Sequence, residues 1–185
     1  MKILISGNPK FGLASELEAV LEDHELIFAS RECGNLDLTR ADQQKEFATM
    51  ACHADIVIIS SALWKFNQTV LLDTVYKSCV DAKLKNHIIC IGSTTDRVKK
   101  GGAWLYNAEK KALRDYCNTL GLNGVWQGGP RVTLLSVGTL TNNQEKHPTR
   151  KCMTVVQAAE YVKWIINQPP GLHVNELSVD PLQNS

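Results

Sequence analysis

Five short, largely apolar runs recur along this chain, KILISG (2–7), ELIFAS (25–30), ADIVIISSA (54–62), HIICIGST (87–94) and RVTLLSVG (131–138), and NELSVDPL (175–182) looks like a last short strand. A strand with one wet face alternates apolar and polar residues. Unbroken runs read as strands buried on both faces, the pattern of a parallel sheet. Helical segments separate them. LASELEAVLEDH places Leu13, Leu17, Val20 and Leu21 on one helical face. A second helix follows LDL (36–38), with Thr39 or Asp42 as its cap. Others span 67–82, about 104–120, and 155–168, the last stopped by Pro169 and Pro170. This alternation predicts an α/β fold: a Rossmann-like doubly wound parallel sheet with helices on both faces. The expectation is a single domain over residues 1–185, with a short loose tail from about 182.

Composition narrows the functional classes. The formal net charge is +1, which speaks against nucleic-acid binding through a basic face. The one local cluster, Arg97, Lys99 and Lys100, reads first as a solvated loop. Cys33, Cys52, Cys79, Cys90, Cys117 and Cys152 form no Cys-x-x-Cys pair, and Cys90 sits inside an apolar run. Free thiols in a reducing compartment follow, so the chain is placed in the cytoplasm. The histidines are dispersed, which leaves no recognisable zinc site. No apolar run approaches the roughly 18 residues of a membrane span.

Ligands of a doubly wound sheet bind beyond the carboxyl ends of its strands. The first such end is Gly7-Asn8-Pro9-Lys10-Phe11-Gly12-Leu13-Ala14. A glycine turn running into a helix lets backbone N–H groups and the positive helix end approach a pyrophosphate. A plain tight turn is the alternative reading. The second strand ends in Ser30-Arg31. An acidic residue at that point suits the free 2′-hydroxyl of NAD, whereas a hydroxyl and a guanidinium suit the 2′-phosphate of NADP. NADP is therefore favoured over NAD, with Lys10 as a second positive charge. A solvated strand-end arginine would look the same.

Ser93 closes the fourth run. Tyr106 follows about thirteen residues later, and Lys110 lies one helical turn beyond it, on the same face. A free phenol, with a pKa near 10, is a poor proton donor at neutral pH. A neighbouring ammonium favours the phenolate and lowers that value. The phenol then serves as general acid toward a carbonyl or general base toward an alcohol, and a serine hydroxyl can hold the same oxygen. A Tyr-x-x-x-Lys pair alone is a weak signal; its position after a strand ending in Ser93 carries the weight.

These features resemble the short-chain dehydrogenase/reductase family. That family has a serine at the end of a core strand, a Tyr-x-x-x-Lys pair about thirteen residues on, and a proline-glycine turn later. Here they correspond to Ser93, to Tyr106 with Lys110, and to RVTLLSVGTLT (131–141) in place of RVNAVSPGxxxT. LDL at 36–38 is similar to the family's adenine contact, and ISSA at 59–62 stands where the family has NNAG. HVNELSVDP (173–181) is similar to its closing strand. The resemblance runs from Ile3 to about Pro181. The departures are a glycine turn one residue longer, ending in Ala14; Ser60-Ser61-Ala62-Leu63 for NNAG; Val137 for the proline; and a short connection between the third and fourth strands. Asn67 is the candidate there for the asparagine that completes the family's proton relay; a helix cap is its other reading.

The resemblance implies an NADP-dependent oxidoreductase acting on a small carbonyl or alcohol. Ser93, Tyr106 and Lys110 are its expected catalytic residues. Gly7, Asn8, Lys10, Phe11, Gly12, Leu13, Ser30, Arg31, Asp37, Leu38, Ser61, Ala62, Tyr106, Lys110, Val137, Thr139 and Thr141 are its expected cofactor contacts. No metal, nucleic acid or membrane is expected, and family analogy implies a homodimer or homotetramer. The loops 94–103 and 140–149 border the substrate, and Lys99 and Lys100 hint at an anionic one. The competing expectation is a non-catalytic nucleotide-binding sensor of the same fold, which has no need of the serine, tyrosine and lysine together. A flavodoxin-like binding protein would alternate strands and helices too, but does not predict their spacing.

Overall fold

A computed structural model describes residues 1–34, 36–98, 103–169 and 171–183. The strands β1 (Lys2–Ser6), β2 (Glu25–Ala29), β3 (Ile56–Ile59), β4 (His87–Ser93), β5 (Arg131–Val137) and β6 (Glu176–Val179) form one sheet. Every pairing is parallel. Their order is β2-β1-β3-β4-β5-β6. The helices are α1 (Gly12–Val20), α2 (Ala41–Ala51), α3 (Asn67–Asp81), α4 (Leu105–Gln127) and α5 (Val155–Ile166).

Each face of the sheet carries its own core. Alternate residues of the buried strands point up and down. Leu4, Val57, Ile59, Ile88, Cys90 and Leu134 join the helices α2, α3 and α4 on one side. Ile3, Ile5, Ile58, Ile89 and Leu135 join α1 and α5 on the other. The unbroken apolar runs of β1, β3, β4 and β5 thus meet helices on both faces, while β2 and β6, at the edges, stay partly exposed.

The register brings the carboxyl ends level. Ser6 lies opposite Ala29 on one side and Ile59 on the other, and Ser93 lies opposite Val137. The chain leaves β1 for β2 on one flank and returns as β3 on the other. That reversal is where a doubly wound sheet opens a crevice for ligands.

Two boundaries differ from expectation. Helix α4 runs through Gly121 and Gly124 to Gln127, beyond the expected stop near Leu120. These glycines are places of close approach: a Cβ on Gly121 would stand 2.9 Å from the Val132 carbonyl oxygen, and one on Gly124 only 2.1 Å from that of Pro130. The helix ends instead at Gly128, whose φ of 71° is left-handed. Helix α2 is entered through Arg40, not Thr39 or Asp42. Asp42 instead sits in its first turn and pairs with Arg40 at 3.0 Å.

The segment after β6 ties together the two loops beyond β4 and β5. Asp180 accepts from the Thr94 hydroxyl at 2.6 Å and pairs with Arg97 at 2.9 Å. Gln183 exchanges two hydrogen bonds, each 3.1 Å, with the backbone of Lys151.

Candidate active site

The glycine turn lies at the β1 end of the crevice. Gly7 is buried, and a Cβ there would stand 2.8 Å from the Ala14 Cβ and 2.9 Å from the Ser60 hydroxyl. Only glycine lets strand, helix and the β3 end meet so closely. Gly12 opens α1 with a φ of 62°, again left-handed, and the Asn142 amide reaches to 3.1 Å from where its Cβ would be. Asn142 therefore lies over the turn, although sequence reading placed it only among the loop residues near a substrate. Asn8 folds the turn by accepting from the Lys10 N–H at 2.9 Å. Lys10 and Phe11 are exposed, and Leu13 is buried in the α1 core. Ser60 donates to the Ser6 carbonyl at 2.5 Å, and Ser61 N–H donates to the Ser6 hydroxyl at 3.2 Å. Ser61 and the exposed Ala62 thus border the same crevice.

At the end of β2, Ser30 is buried and its hydroxyl accepts from the Cys33 N–H at 3.2 Å, which shapes the following turn. Arg31 is exposed on that turn. The Asp37 carboxylate accepts from the Thr39 N–H at 3.1 Å and from the Thr39 hydroxyl at 2.7 Å. These bonds, with Arg31 and Arg40 nearby, hold the Asp37 carboxyl below the usual range. Leu38 is buried in the core, and its carbonyl accepts from Gln44. On the far flank Val137 is buried, while Thr139 and Thr141 hold Met153 through backbone hydrogen bonds of 2.9 Å.

Ser93, Tyr106 and Lys110 come together at the head of α4. The Ser93 side chain accepts from the Thr95 N–H at 3.3 Å, and its hydroxyl acts on the Tyr106 phenol to favour the phenolate. The Lys110 ammonium stands 5.5 Å from the centre of the Tyr106 ring. The Trp64 ring packs on the tyrosine at 5.3 Å, tilted by 47°. One expectation is not met. The Tyr106 pKa lies above its ordinary value, not below it, because burial outweighs the lowering effect of the Ser93 hydroxyl. Negative charge on Glu109 and Asp96 adds to the rise. Lys110 lies over the ring face and donates its hydrogen bond to another acceptor.

That acceptor is Gln68. Its side-chain oxygen lies 2.6 Å from Lys110 Nζ, and both residues are buried. The expected relay residue, Asn67, turns its amide to the Trp64 carbonyl at 2.7 Å. Burial lowers the Lys110 pKa to about 8. Glu109, also buried, accepts from the Lys65 N–H at 2.7 Å. This bond fixes a turn in which both Lys65 (φ 58°) and Phe66 (φ 61°) are left-handed. Sequence reading missed Gln68 and Glu109. Their signals, a polar residue beside Asn67 and a carboxylate beside Lys110, acquire meaning only when α3 and α4 are packed. Lys99 and Lys100 lie outside the described residues. Among the described residues no cluster of side chains is suited to hold a metal ion, and no helix is long and apolar enough to cross a membrane.

No family model and no curated protein matches the sequence. Solved structures do match its fold. A serine dehydrogenase from Escherichia coli aligns over all of both chains at 18% identity, with a TM-score of 0.75. A closed form of serine dehydrogenase complexed with NADP+ aligns over 100% of this chain and 96% of its own, at 18% identity and a TM-score of 0.74. A short chain dehydrogenase/reductase family protein aligns over 97% of this chain and 95% of its own, at 17% identity and a TM-score of 0.78. The chain therefore has the fold of the short-chain dehydrogenase/reductase structures.

Proposed function

We propose that this chain is a cytoplasmic oxidoreductase of the short-chain dehydrogenase/reductase kind, using NADP in preference to NAD on a small carbonyl or alcohol. The observation that carries the reading is the convergence of Ser93, Tyr106 and Lys110 beside the crevice. The crevice fits a dinucleotide. Its floor is a glycine position that any Cβ would fill, and α1 opens from the turn with no side-chain cap from Phe11. Gly7 to Leu13 hold the pyrophosphate, with Asn142 at hand above Gly12. Ser30 and Arg31 take the 2′-phosphate; Asp37 and Leu38 border the adenine. Ser61, Ala62, Val137, Thr139 and Thr141 border the nicotinamide half.

The nicotinamide, when bound, supplies or accepts the hydride. The chain's own residues manage the proton. In reduction, Tyr106 Oη gives its proton to the carbonyl oxygen as hydride reaches the carbonyl carbon, leaving an alcohol. In oxidation, the same oxygen takes the proton back. Ser93 orients the reacting oxygen, and Lys110 holds the ribose. A homodimer or homotetramer belongs to the same proposal. It is supported by exposed apolar side chains on α3 and α4: Val70, Leu122, Val125 and Trp126.

Fluorescence titration with NADPH and NADH tests the cofactor, and loss of NADPH over a panel of small carbonyls tests the chemistry. Tyr106→Phe should bind NADPH within about threefold of wild type and lose roughly 10²–10⁴-fold in kcat. A Tyr106→Phe protein that keeps its rate removes the proton-transfer role. NADPH binding without turnover of any substrate points instead to a nucleotide-binding sensor.

A further inference from the structure

We infer that Gln68 is a positioning residue: its side-chain carbonyl fixes the Lys110 ammonium at the Tyr106 ring and keeps it protonated. Gln68 lies in the first turn of α3 and is only 3% exposed. Its Nε2 donates to the Ile91 carbonyl at 2.8 Å and, more weakly, to that of Ile59 at 3.4 Å. Its Oε1 accepts from Lys110 Nζ at 2.6 Å. The chemistry allows one orientation of this amide. Flipped, its oxygen would face two carbonyl oxygens and its NH₂ would face an ammonium. The ends of β3 and β4 therefore aim the acceptor, and the acceptor aims the lysine.

The lysine needs such a partner. It is 6% exposed, and burial works against its charge. Facing it are the Tyr106 phenol and the Glu109 carboxyl from α4, Asp96 beyond β4, and the thiols of Cys90 and Cys117. Among the described residues, Gln68 is the acceptor placed within hydrogen-bond distance of Nζ. A hydrogen bond to an ionised donor is of the stronger kind. The use made of the charge rests on the oxidoreductase reading; the hydrogen bond does not.

Two sets of measurements test the inference. The first is an NMR pH titration of the full chain, reading Lys110 Cε and Gln68 Cδ. The two should share one midpoint near 8, and Gln68→Met should lower the Lys110 midpoint by about one to two pH units. A Gln68 signal that ignores the lysine, or an unmoved midpoint in a folded Gln68→Met protein, overturns the inference. Should that variant fail to fold, the two wild-type titrations decide alone. The second measurement is the pH profile of NADPH-dependent turnover. Its alkaline limb should move down with the Lys110 midpoint in Gln68→Met. An equal loss at every pH would mean that Gln68 only packs, and overturns positioning. Linked NMR titrations in a wild-type protein without turnover would uphold the Gln68 contact and sink the oxidoreductase reading.

Discussion

Burial holds Lys110 at a pKa of about 8, against 10.5 for an unperturbed lysine. Below pH 8 both folded and unfolded chains carry the charge, and the folded one bears the full desolvation penalty. Between about 8 and 10.5 the folded protein has given up its proton and the unfolded chain has not. The wild type must therefore gain stability from this group as pH rises through that window, by at most on the order of 3 kcal/mol. Urea unfolding should show it gaining roughly 1–3 kcal/mol on Lys110→Met between pH 7.5 and 10.5. A constant difference would mean that the ammonium is not buried as described. A lysine kept at such a disadvantage fits a site tuned for chemistry, where stability and activity pull apart. Ser93, Tyr106 and Lys110 were legible in the sequence because their spacing is local to one strand and one helix. Gln68 was not: it is 42 residues from Lys110, and only the packing of α3 on α4 joins them. Nor was the raised pKa of Tyr106, which follows from burial.

Helices and turns show where local rules lose to packing. In an exposed helix, Gly124→Ala would gain about 1 kcal/mol in propensity. Here the new Cβ would stand 2.1 Å from the Pro130 carbonyl oxygen, an overpacking that costs about 1–3 kcal/mol or more. The expected sign is destabilisation, read as a lower midpoint in thermal unfolding; a stabilised variant would mean that α4 does not touch the start of β5. Glycine commonly reads as a helix stop, which is why the last two turns of α4 could not be foreseen. The turn of Lys65 and Phe66 is the second such case. Nothing in LWKF announces left-handed backbone at two consecutive side-chain-bearing residues, since the Glu109 carboxylate that fixes the turn comes from another helix. Lys65→Gly should hold or raise stability by up to about 1 kcal/mol, whereas Lys65→Val should lose about 1–2 kcal/mol. Equal effects in urea unfolding would remove the strain from the account. The sheet, by contrast, was legible, because unbroken apolar runs have few other places to go.

For the whole molecule, one sheet end gathers groups drawn from almost the full length of the chain, from Gly7 to Gln183. Arg31 stands at one flank of this edge, and the Tyr106 cluster lies across the crevice. Arg31→Ala should therefore weaken NADPH by about 10–100-fold, the worth of a hydrogen-bonded ion pair, and change NADH little. Equal losses with both would remove the 2′-phosphate from the account. The segment after β6 bears on a different matter. Because Asp180 grips Thr94 and Arg97 while Gln183 grips Lys151, the loops beyond β4 and β5 share one anchor. Anyone wishing to graft a new specificity onto this scaffold would find that neither loop transplants alone. The unit of exchange is both loops together with residues 180–183, and drift in one loop constrains which changes the other can accept.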